Sequence, residues 1–361
     1  MNSIHLGWSP FFENQLTSRD RSQCSVGRIL EERKIYYVLL TEDGREVLAS
    51  LAGKLQYEAS RRGELPTVGD WVCASVRPEE GRATIHRLLE RRTKISRKGA
   101  GSVTDEQVLA ANIDTVFLVN SLNQDLNPRR IERYLALAWE SGARPVLLLT
   151  KADLCQEPAK AVAEIEQVAP FVSVHVVSAL EGSGLGALAA YLGPGQTSVL
   201  LGSSGVGKST LVNRILGEER QRVRAIRSRG DRGRHTTTSR QMIFLPQGGM
   251  LIDTPGMREL QLWDADEAVG QTFRDVEEAA NRCRFTDCGH QAGTPGCGVQ
   301  AAIESGALAA ERVANWSKLG RELKFLDRKQ DKKAQSEEKK RWKAIEVADR
   351  KRHGLDEDLF Q

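Results

Sequence analysis

GSSGVGKS, at residues 202–209, matches the pattern G-x-x-x-x-G-K-[ST] of loops that bind nucleotide phosphates. An apolar run, Ser198–Leu201, precedes it, and residues with helical apolar spacing follow it. Glycines in such a loop let backbone N–H groups converge on phosphate oxygens at the N-terminus of a helix. The segment therefore predicts a strand, a phosphate-binding loop and a helix in succession. The alternative, a glycine-rich turn with a chance Lys-Ser, does not account for the flanking strand and helix.

Two side chains of this loop have specific expected roles. Lys208 would bring a positive charge to the β- and γ-phosphates, and the Ser209 hydroxyl would ligate Mg²⁺. We assign nucleotide binding to the whole loop and to the residue after it: Gly202, Ser203, Ser204, Gly205, Val206, Gly207, Lys208, Ser209 and Thr210.

A second phosphate-sensing element is expected downstream, where Asp253-Thr254-Pro255-Gly256 ends an apolar run. Asp253 would hold Mg²⁺ through water, and the Gly256 N–H would contact the γ-phosphate. D-x-x-G is common by chance, but here it follows a phosphate loop at the end of a strand. Between the two lies His235-Thr236-Thr237-Thr238, which would form a switch loop. The Thr237 hydroxyl of this loop would complete the coordination shell of Mg²⁺. Alternatively, the threonines only begin the next strand.

Base recognition is predicted upstream of the phosphate loop, at two strand ends. One carries Thr150-Lys151-Ala152-Asp153 and the other carries Ser178-Ala179. An ionised Asp153 would accept hydrogen bonds from the guanine N1–H and exocyclic amine. Adenine would leave that carboxylate unpaired, so discrimination of about 10⁴-fold is expected. Lys151 would lie along the base plane, and the Ala179 N–H would contact the guanine carbonyl.

The regions around these motifs have different patterns. From about residue 110, apolar strands alternate with helices, which is typical of an α/β fold with a covered, mostly parallel sheet. Residues 24–95 contain about five short strands, which favour a small barrel of the OB-fold type. An SH3-like barrel is the alternative. Nucleic acid is the default partner of such a barrel, although the fold does not prove it.

The C-terminal part is helical apart from a segment with four potential metal ligands: Cys283, Cys288, His290 and Cys297. Three thiolates and an imidazole suit a closed, structural Zn²⁺ site. A redox role is disfavoured, because no close C-x-x-C pair exists. Residues 301–326 have helical apolar spacing.

Charge is unevenly distributed, although the net charge is only +4. Lys and Arg outnumber Asp and Glu over residues 312–353, and arginines cluster over residues 220–234. Both segments suit an RNA backbone, but a solvated helix and a solvated loop explain them equally well. Trp316 and Trp342 would stack on bases or pack against protein.

Length and composition predict a multidomain protein. We expect an N-terminal extension (1–22), an OB-like barrel (23–97), a GTPase domain (98–265) and a zinc-binding, basic helical domain (266–361). No run is long enough to span a membrane, and the N-terminus does not resemble a signal peptide. A cytoplasmic location without a membrane partner is therefore expected. We also expect the protein to be a monomer.

The guanine-nucleotide motifs occur in the order fourth, fifth, first, second, third, whereas ordinary small GTPases run from first to fifth. This permuted order, between a barrel and a Cys/His knuckle, resembles the bacterial small-ribosomal-subunit biogenesis GTPases called RsgA or YjeQ. The resemblance implies hydrolysis of GTP to GDP and phosphate, Mg²⁺, one structural Zn²⁺, and late maturation of the small subunit through contacts with its rRNA. Thr150 departs from the family's usual Asn, and six residues rather than five separate His290 from Cys297.

Hydrolysis is expected to be slow without a partner. Met257 follows Gly256, where many GTPases place a glutamine that orients water, and unassisted turnover even with that glutamine is of order 10⁻⁴ s⁻¹. His235 is the candidate for orienting water, although it would equally contact RNA or shape its loop. Two other functions stay open at this point: a permuted GTPase for the large subunit, and an RNA-binding scaffold with a vestigial nucleotide site.

Overall fold

The structure is a computed structural model that describes residues 6–33, 35–59, 61–98, 106–123, 126–217, 240–253 and 266–325. The Arg-rich segment 220–234 and the basic end beyond residue 325, with Trp342, lie outside these ranges.

The N-terminal residues pack against the barrel. Two short helices, α1 (Pro10–Glu13) and α2 (Ser18–Gln23), precede it. Phe12 is buried, and the indole of Trp8 lies edge-on to that of Trp71, with ring centroids 4.8 Å apart. Residues that we expected to form an N-terminal extension therefore contribute side chains that pack against the barrel.

A closed barrel follows, in the order β1-β2-β3-β5-β4 with β4 returning to β1. Its strands are β1 (Ser25–Glu32), β2 (Tyr37–Thr41), β3 (Glu46–Leu51), β4 (Trp71–Arg77) and β5 (Arg82–Leu88), with helix α3 (Gly53–Glu58) after β3. Neighbouring strands are antiparallel except β3 and β5. Along β3, Val47 and Ala49 are buried between exposed neighbours, as the two-residue period of a strand requires. The OB-like barrel that we predicted is confirmed.

A separate two-stranded sheet connects the barrel to the α/β domain. It pairs β6 (Lys94–Lys98) with β7 (Glu106–Ala111). The boundary that we expected between residues 97 and 98 falls within β6.

The α/β domain has the strand order β10-β9-β8-β11-β13-β12, parallel except for β12. The strands are β8 (Thr115–Ser121), β9 (Arg144–Thr150), β10 (Ser173–Val176), β11 (Thr197–Leu201), β12 (Arg240–Phe244) and β13 (Met250–Asp253). Helices α4 (Pro128–Glu140), α5 (Pro158–Val168) and α6 (Lys208–Leu216) lie in the segments between them. An apolar cluster lies on each face of the sheet. The cluster on one face includes residues of α4 and α5, and the cluster on the other face includes residues of α6.

The order of these strands sets the position of a ligand site. The chain runs outward from β8 to β10 and then returns to place β11 beside β8. Ligands of open α/β sheets bind at the carboxyl ends of the strands where the order reverses in this way. The phosphate-binding motif follows β11 and lies at that position.

Residues 266–325 are mainly helical outside the Cys/His segment, with α7 (Asp266–Thr272), α8 (Arg274–Ala280), α9 (Gly298–Glu304) and a further helix over residues 310–325. Residues 301–326, which have helical apolar spacing, are divided between α9 and the helix over residues 310–325. Gly306 has a φ of +76°, a left-handed conformation that interrupts the helix. No helix among the described residues combines the length and the apolar composition needed to cross a membrane.

An ion network around the buried Arg312 and Glu132 side chains fixes the helix over residues 310–325 to the α/β domain. The Arg312 guanidinium donates to Glu132 in α4 at 2.6 Å and to both Asp275 oxygens in α8 at 2.7 and 2.8 Å. Burial raises the pKa of Glu132, while hydrogen bonds from Asn315 and Arg312 favour its ionised form. The guanidinium also lies over the Phe273 ring.

We expect Arg312→Ala to lower the free energy of unfolding by about 3–5 kcal/mol, because it leaves the buried Glu132 carboxylate without a cation. Urea unfolding followed by circular dichroism measures the change. The matched control is Arg321→Ala on the same helix, which removes an exposed arginine and should cost no more than about 0.5 kcal/mol. Equal midpoints for the two variants would show that the network contributes no net stability.

Candidate nucleotide site and metal-ligand cluster

The phosphate-binding motif forms a tight loop between buried strand β11 and helix α6. A Cβ on Gly202 would lie 2.4 Å from the Val119 carbonyl oxygen, so only glycine allows this approach to β8. Gly207 has a φ of +99° and immediately precedes the first turn of α6. The loop therefore brings backbone N–H groups to a helix N-terminus, as an anion site requires.

The ammonium group of Lys208 lies against this loop. Its Nζ donates to the carbonyl oxygens of Gly202 and Ser203, both at 2.6 Å. These contacts keep the ammonium beside the turn that would surround a phosphate.

Thr150, at the end of β9, contacts the phosphate loop directly. Its hydroxyl donates to the Val206 carbonyl oxygen at 2.5 Å, and the Asn120 carbonyl oxygen lies 3.2 Å away. Thr150 is buried, and both acceptors are backbone carbonyl oxygens. The contact therefore does not depend on the side-chain conformations of Asn120 and Val206. The first residue of the upstream motif and the loop that begins 52 positions later are thus joined by a hydrogen bond.

The two elements predicted to recognise the base lie side by side. The Ser178 hydroxyl, which is buried, donates to Asp153 Oδ1 at 2.6 Å. The backbone N–H of Ala152 donates to the Val177 carbonyl at 3.3 Å, and Lys151 has a left-handed φ of +59°. Asp153 is exposed, so its carboxylate is accessible to a ligand and is oriented by Ser178.

The downstream element is only partly described. Asp253 ends β13, which runs parallel to β11 with Ile252 opposite Val199. The backbone of Asp253 therefore lies at the same edge of the sheet as the phosphate loop. His235, Thr237, Gly256 and Met257 lie outside the described residues.

Sequence reasoning missed two contacts of this site. Asn120 is fully buried at the end of β8, and its carbonyl oxygen approaches the Thr150 hydroxyl. The available signal in the sequence for this contact was Asn120 itself, a polar residue directly after the apolar run of β8. Arg214 in α6 lies against the loop after Ser178, since a Cβ on Gly182 would lie 2.6 Å from its guanidinium. No local pattern indicated that contact.

The four Cys/His residues come together beyond α8, with their ligand atoms within 4.8 Å of one another. Cys283 Sγ lies 3.5 Å from His290 Nδ1 and 3.9 Å from Cys297 Sγ, and Cys297 Sγ lies 3.6 Å from the same nitrogen. Zn–S bonds of about 2.3 Å and Zn–N bonds of about 2.0 Å in a tetrahedron require edges of about 3.8 Å and about 3.5 Å. The geometry therefore fits a tetrahedral ion, and the sulfur separation excludes a disulfide between Cys283 and Cys297.

Backbone amides orient these sulfurs. The Gly298 N–H donates to Cys283 Sγ at 3.3 Å, and the Gln300 N–H donates to Cys297 Sγ at 3.4 Å. Burial raises the pKa of the Cys283 thiol, but hydrogen bonds from Val299 and Gly298 outweigh it, and the net pKa is lowered. A lowered thiol pKa favours the thiolate that a metal requires.

Comparison with known proteins identifies the family. Residues 88–263 match the family described as RsgA GTPase. The chain is also 45% identical to the small ribosomal subunit biogenesis GTPase RsgA of Opitutus terrae, over 99% of both chains. The chain belongs to the RsgA family.

Solved structures show the same architecture. The crystal structure of YjeQ from Thermotoga maritima matches 83% of this chain and 98% of its own, with a TM-score of 0.62 and 27% identity. YloQ, described as a circularly permuted GTPase, matches 86% of this chain and 98% of its own, with a TM-score of 0.60 and 21% identity. The permuted strand order predicted from the motifs is confirmed, with β8 to β10 preceding β11 in the chain.

Membership of the RsgA family makes this chain a GTPase, which confirms the predicted enzyme class. GTP and GDP are therefore its nucleotides, and Mg²⁺ is the ion that such a reaction uses. The Cys/His cluster is a possible metal site of the same chain.

Proposed function

We propose that this protein is a ribosome-assembly GTPase that binds the small ribosomal subunit, hydrolyses GTP there and is released late in maturation. The observation that carries the proposal is the pair of hydrogen bonds that join Thr150 to Val206 and Ser178 to Asp153. They support a shared pocket, because one joins the upstream motif to the phosphate loop and the other joins the two proposed base elements. The name of the Opitutus terrae relative supports the small subunit as partner.

Each residue of the pocket has a role in this proposal. The loop from Gly202 to Thr210 binds the phosphates, and Lys208 stabilises the charge that develops on them. Asp153 accepts from the guanine N1–H and amine, with Lys151 along the base and the Ala179 N–H on the guanine carbonyl. Ser178 orients the Asp153 carboxylate, as its 2.6 Å hydrogen bond supports.

Mg²⁺, when bound, would neutralise charge on the β- and γ-phosphate oxygens. Ser209, Thr237 and Asp253 are the proposed ligands, and Gly256 would sense the γ-phosphate. His235 is proposed to orient the attacking water. Because a thioether at Met257 cannot do so, intrinsic hydrolysis should be slow and stimulated by the ribosome.

The other modules would attach this pocket to rRNA. Cys283, Cys288, His290 and Cys297 would hold one structural Zn²⁺, which stabilises a loop-rich segment with little core of its own. We propose that the barrel, the zinc segment and the basic C-terminal region contact rRNA, and that the protein acts as a cytoplasmic monomer.

GTP turnover with and without purified ribosomal subunits tests the proposal. We expect small subunits, and not large subunits, to stimulate turnover, and Lys208→Ala to reduce the stimulated rate by about 10²–10³-fold. His235→Ala should also lose stimulation. Equal stimulation by both subunits, or none by small subunits, would refute the proposed partner. Full stimulated turnover of His235→Ala would refute only the role of that histidine.

A further inference from the structure

Along one of its two edges, strand β1 pairs with two different strands, one near each end of β1. Ser25 to Arg28 pair with β4 and close the barrel, whereas Glu31 and Glu32 pair with Gln241 and Arg240 of β12. A β-bulge between Ile29 and Glu31 separates the two halves. Bulges bend a strand and redirect its pairing, so the second half of β1, which stays paired with β2, also joins the GTPase sheet.

This junction lies two strands from a residue of the nucleotide site. Gln241 pairs with Glu31 on one side and with Asp253 on the other. Because neighbouring strands are about 4.8 Å apart, the barrel backbone lies roughly 10 Å from the backbone of the proposed Mg²⁺ ligand. One strand, β12, therefore separates β1 from Asp253.

An ion pair reinforces this short pairing. Glu32 and Arg240 are directly opposite, and Arg240 Nη1 donates to Glu32 Oε2 at 3.0 Å. The same carboxylate oxygen accepts from the Thr67 hydroxyl of the barrel at 3.1 Å. The Glu32 and Arg240 side chains are only 23% and 16% exposed, so solvent screens the pair less than a surface ion pair.

The other half of β1 is anchored by a buried arginine. The Arg28 guanidinium, 1% exposed, donates to Thr197 Oγ1 of β11 at 2.9 Å and to the Asn112 carbonyl oxygen at 3.1 Å. It also contacts Met250 Sδ at the start of β13. Strand β1 is thus attached at one end to the beginnings of β11 and β13 and at the other to β12.

We propose that Glu32 and Arg240 are positioning residues that couple the barrel to the nucleotide pocket. GTP binding stabilises β13 and β12, and the Glu32–Arg240 pair extends this stabilisation to β1. By thermodynamic reciprocity, a ligand that holds the barrel changes the affinity of the pocket for nucleotide. The barrel is in this view part of the switch as well as a module that contacts rRNA.

Hydrogen exchange measured by mass spectrometry tests the coupling on the full-length protein, with Mg²⁺ and a non-hydrolysable GTP analogue. In the wild type we expect the analogue to slow exchange in peptides from both β1 and the phosphate loop, by about fivefold or more in β1. In Arg240→Gln the slowing should persist in the loop and disappear from β1. Arg240→Lys, which keeps the charge, should restore part of it.

Arg62→Gln is the matched control, because Arg62 also faces Glu32, at 3.8 Å, but belongs to the barrel. It should respond as the wild type does. If Arg240→Gln fails to fold, Glu32→Gln removes the same pair from the other side.

The inference would be overturned if the analogue did not slow hydrogen exchange in β1 of the wild type. It would also be overturned if this slowing survived in Arg240→Gln or Glu32→Gln. Since no ribosomal subunit is present, the result does not depend on whether the proposed partner is correct.

Discussion

Asp153→Asn should lower the affinity for GTP by about 10³–10⁴-fold and raise the affinity for xanthosine triphosphate. The Asp153 carboxylate offers two acceptors, which match the N1–H and the 2-amino group of guanine. Asparagine offers one acceptor and one donor, so its amide would face the guanine amine with two donors opposed. Xanthine has a carbonyl at that position and pairs with the amide instead.

The geometry supports a localised effect. Ser178 donates to Asp153 Oδ1 at 2.6 Å, and an asparagine can present its carbonyl oxygen to the same hydroxyl. The substitution therefore preserves this internal contact and changes the donor and acceptor pattern that faces the base.

Competition against a fluorescent guanine nucleotide measures the dissociation constants for GTP, xanthosine triphosphate and ATP. Glu181→Gln is the control, because it neutralises an exposed carboxylate of the neighbouring loop, and its affinities should stay within about twofold of the wild type. Unchanged GTP affinity in Asp153→Asn, or ATP binding as tight as GTP binding in the wild type, would contradict the assignment of the base site.

Removal of the metal should unfold the segment between α8 and α9. A structural Zn²⁺ contributes about 10 kcal/mol or more to the folding of a small metal-dependent unit. Here Cys283, Cys288, His290 and Cys297 are the proposed ligands, and residues 284–296 are all exposed or half-buried. Without the ion, few apolar contacts would hold this loop-rich segment.

Elemental analysis should find one zinc per wild-type chain and none in Cys297→Ser. Limited proteolysis should then cleave the variant, or the chelated wild type, within residues 281–297. Cys155→Ser is the matched control, because Cys155 is a free cysteine outside the cluster and its loss should leave the zinc content unchanged. A chelated wild type that resists protease as the untreated protein does, or stoichiometric zinc in Cys297→Ser, would show that the cluster is not a structural metal site.

The elements of the pocket were predictable because each has a local pattern. The phosphate loop depends on glycines and a lysine at set spacings within eight residues, and the base motifs follow apolar runs that form strands. The Cys/His ligands are likewise close in the chain. Their order along the sequence was also enough to predict the permutation, because the order of motifs can be read without coordinates.

The contacts that join these elements depend on residues far apart in the chain and have no local pattern. The hydrogen bond from Thr150 to Val206 spans 56 positions, and the pairing of Glu32 with Arg240 spans 208. Such contacts form only after the sheet has assembled, since its strand order determines which residues become neighbours. For this reason the sequence was sufficient to predict a permuted GTPase with a barrel and a metal-ligand cluster, while the attachment of the barrel to the nucleotide site emerged only from the packing of β1 against β12.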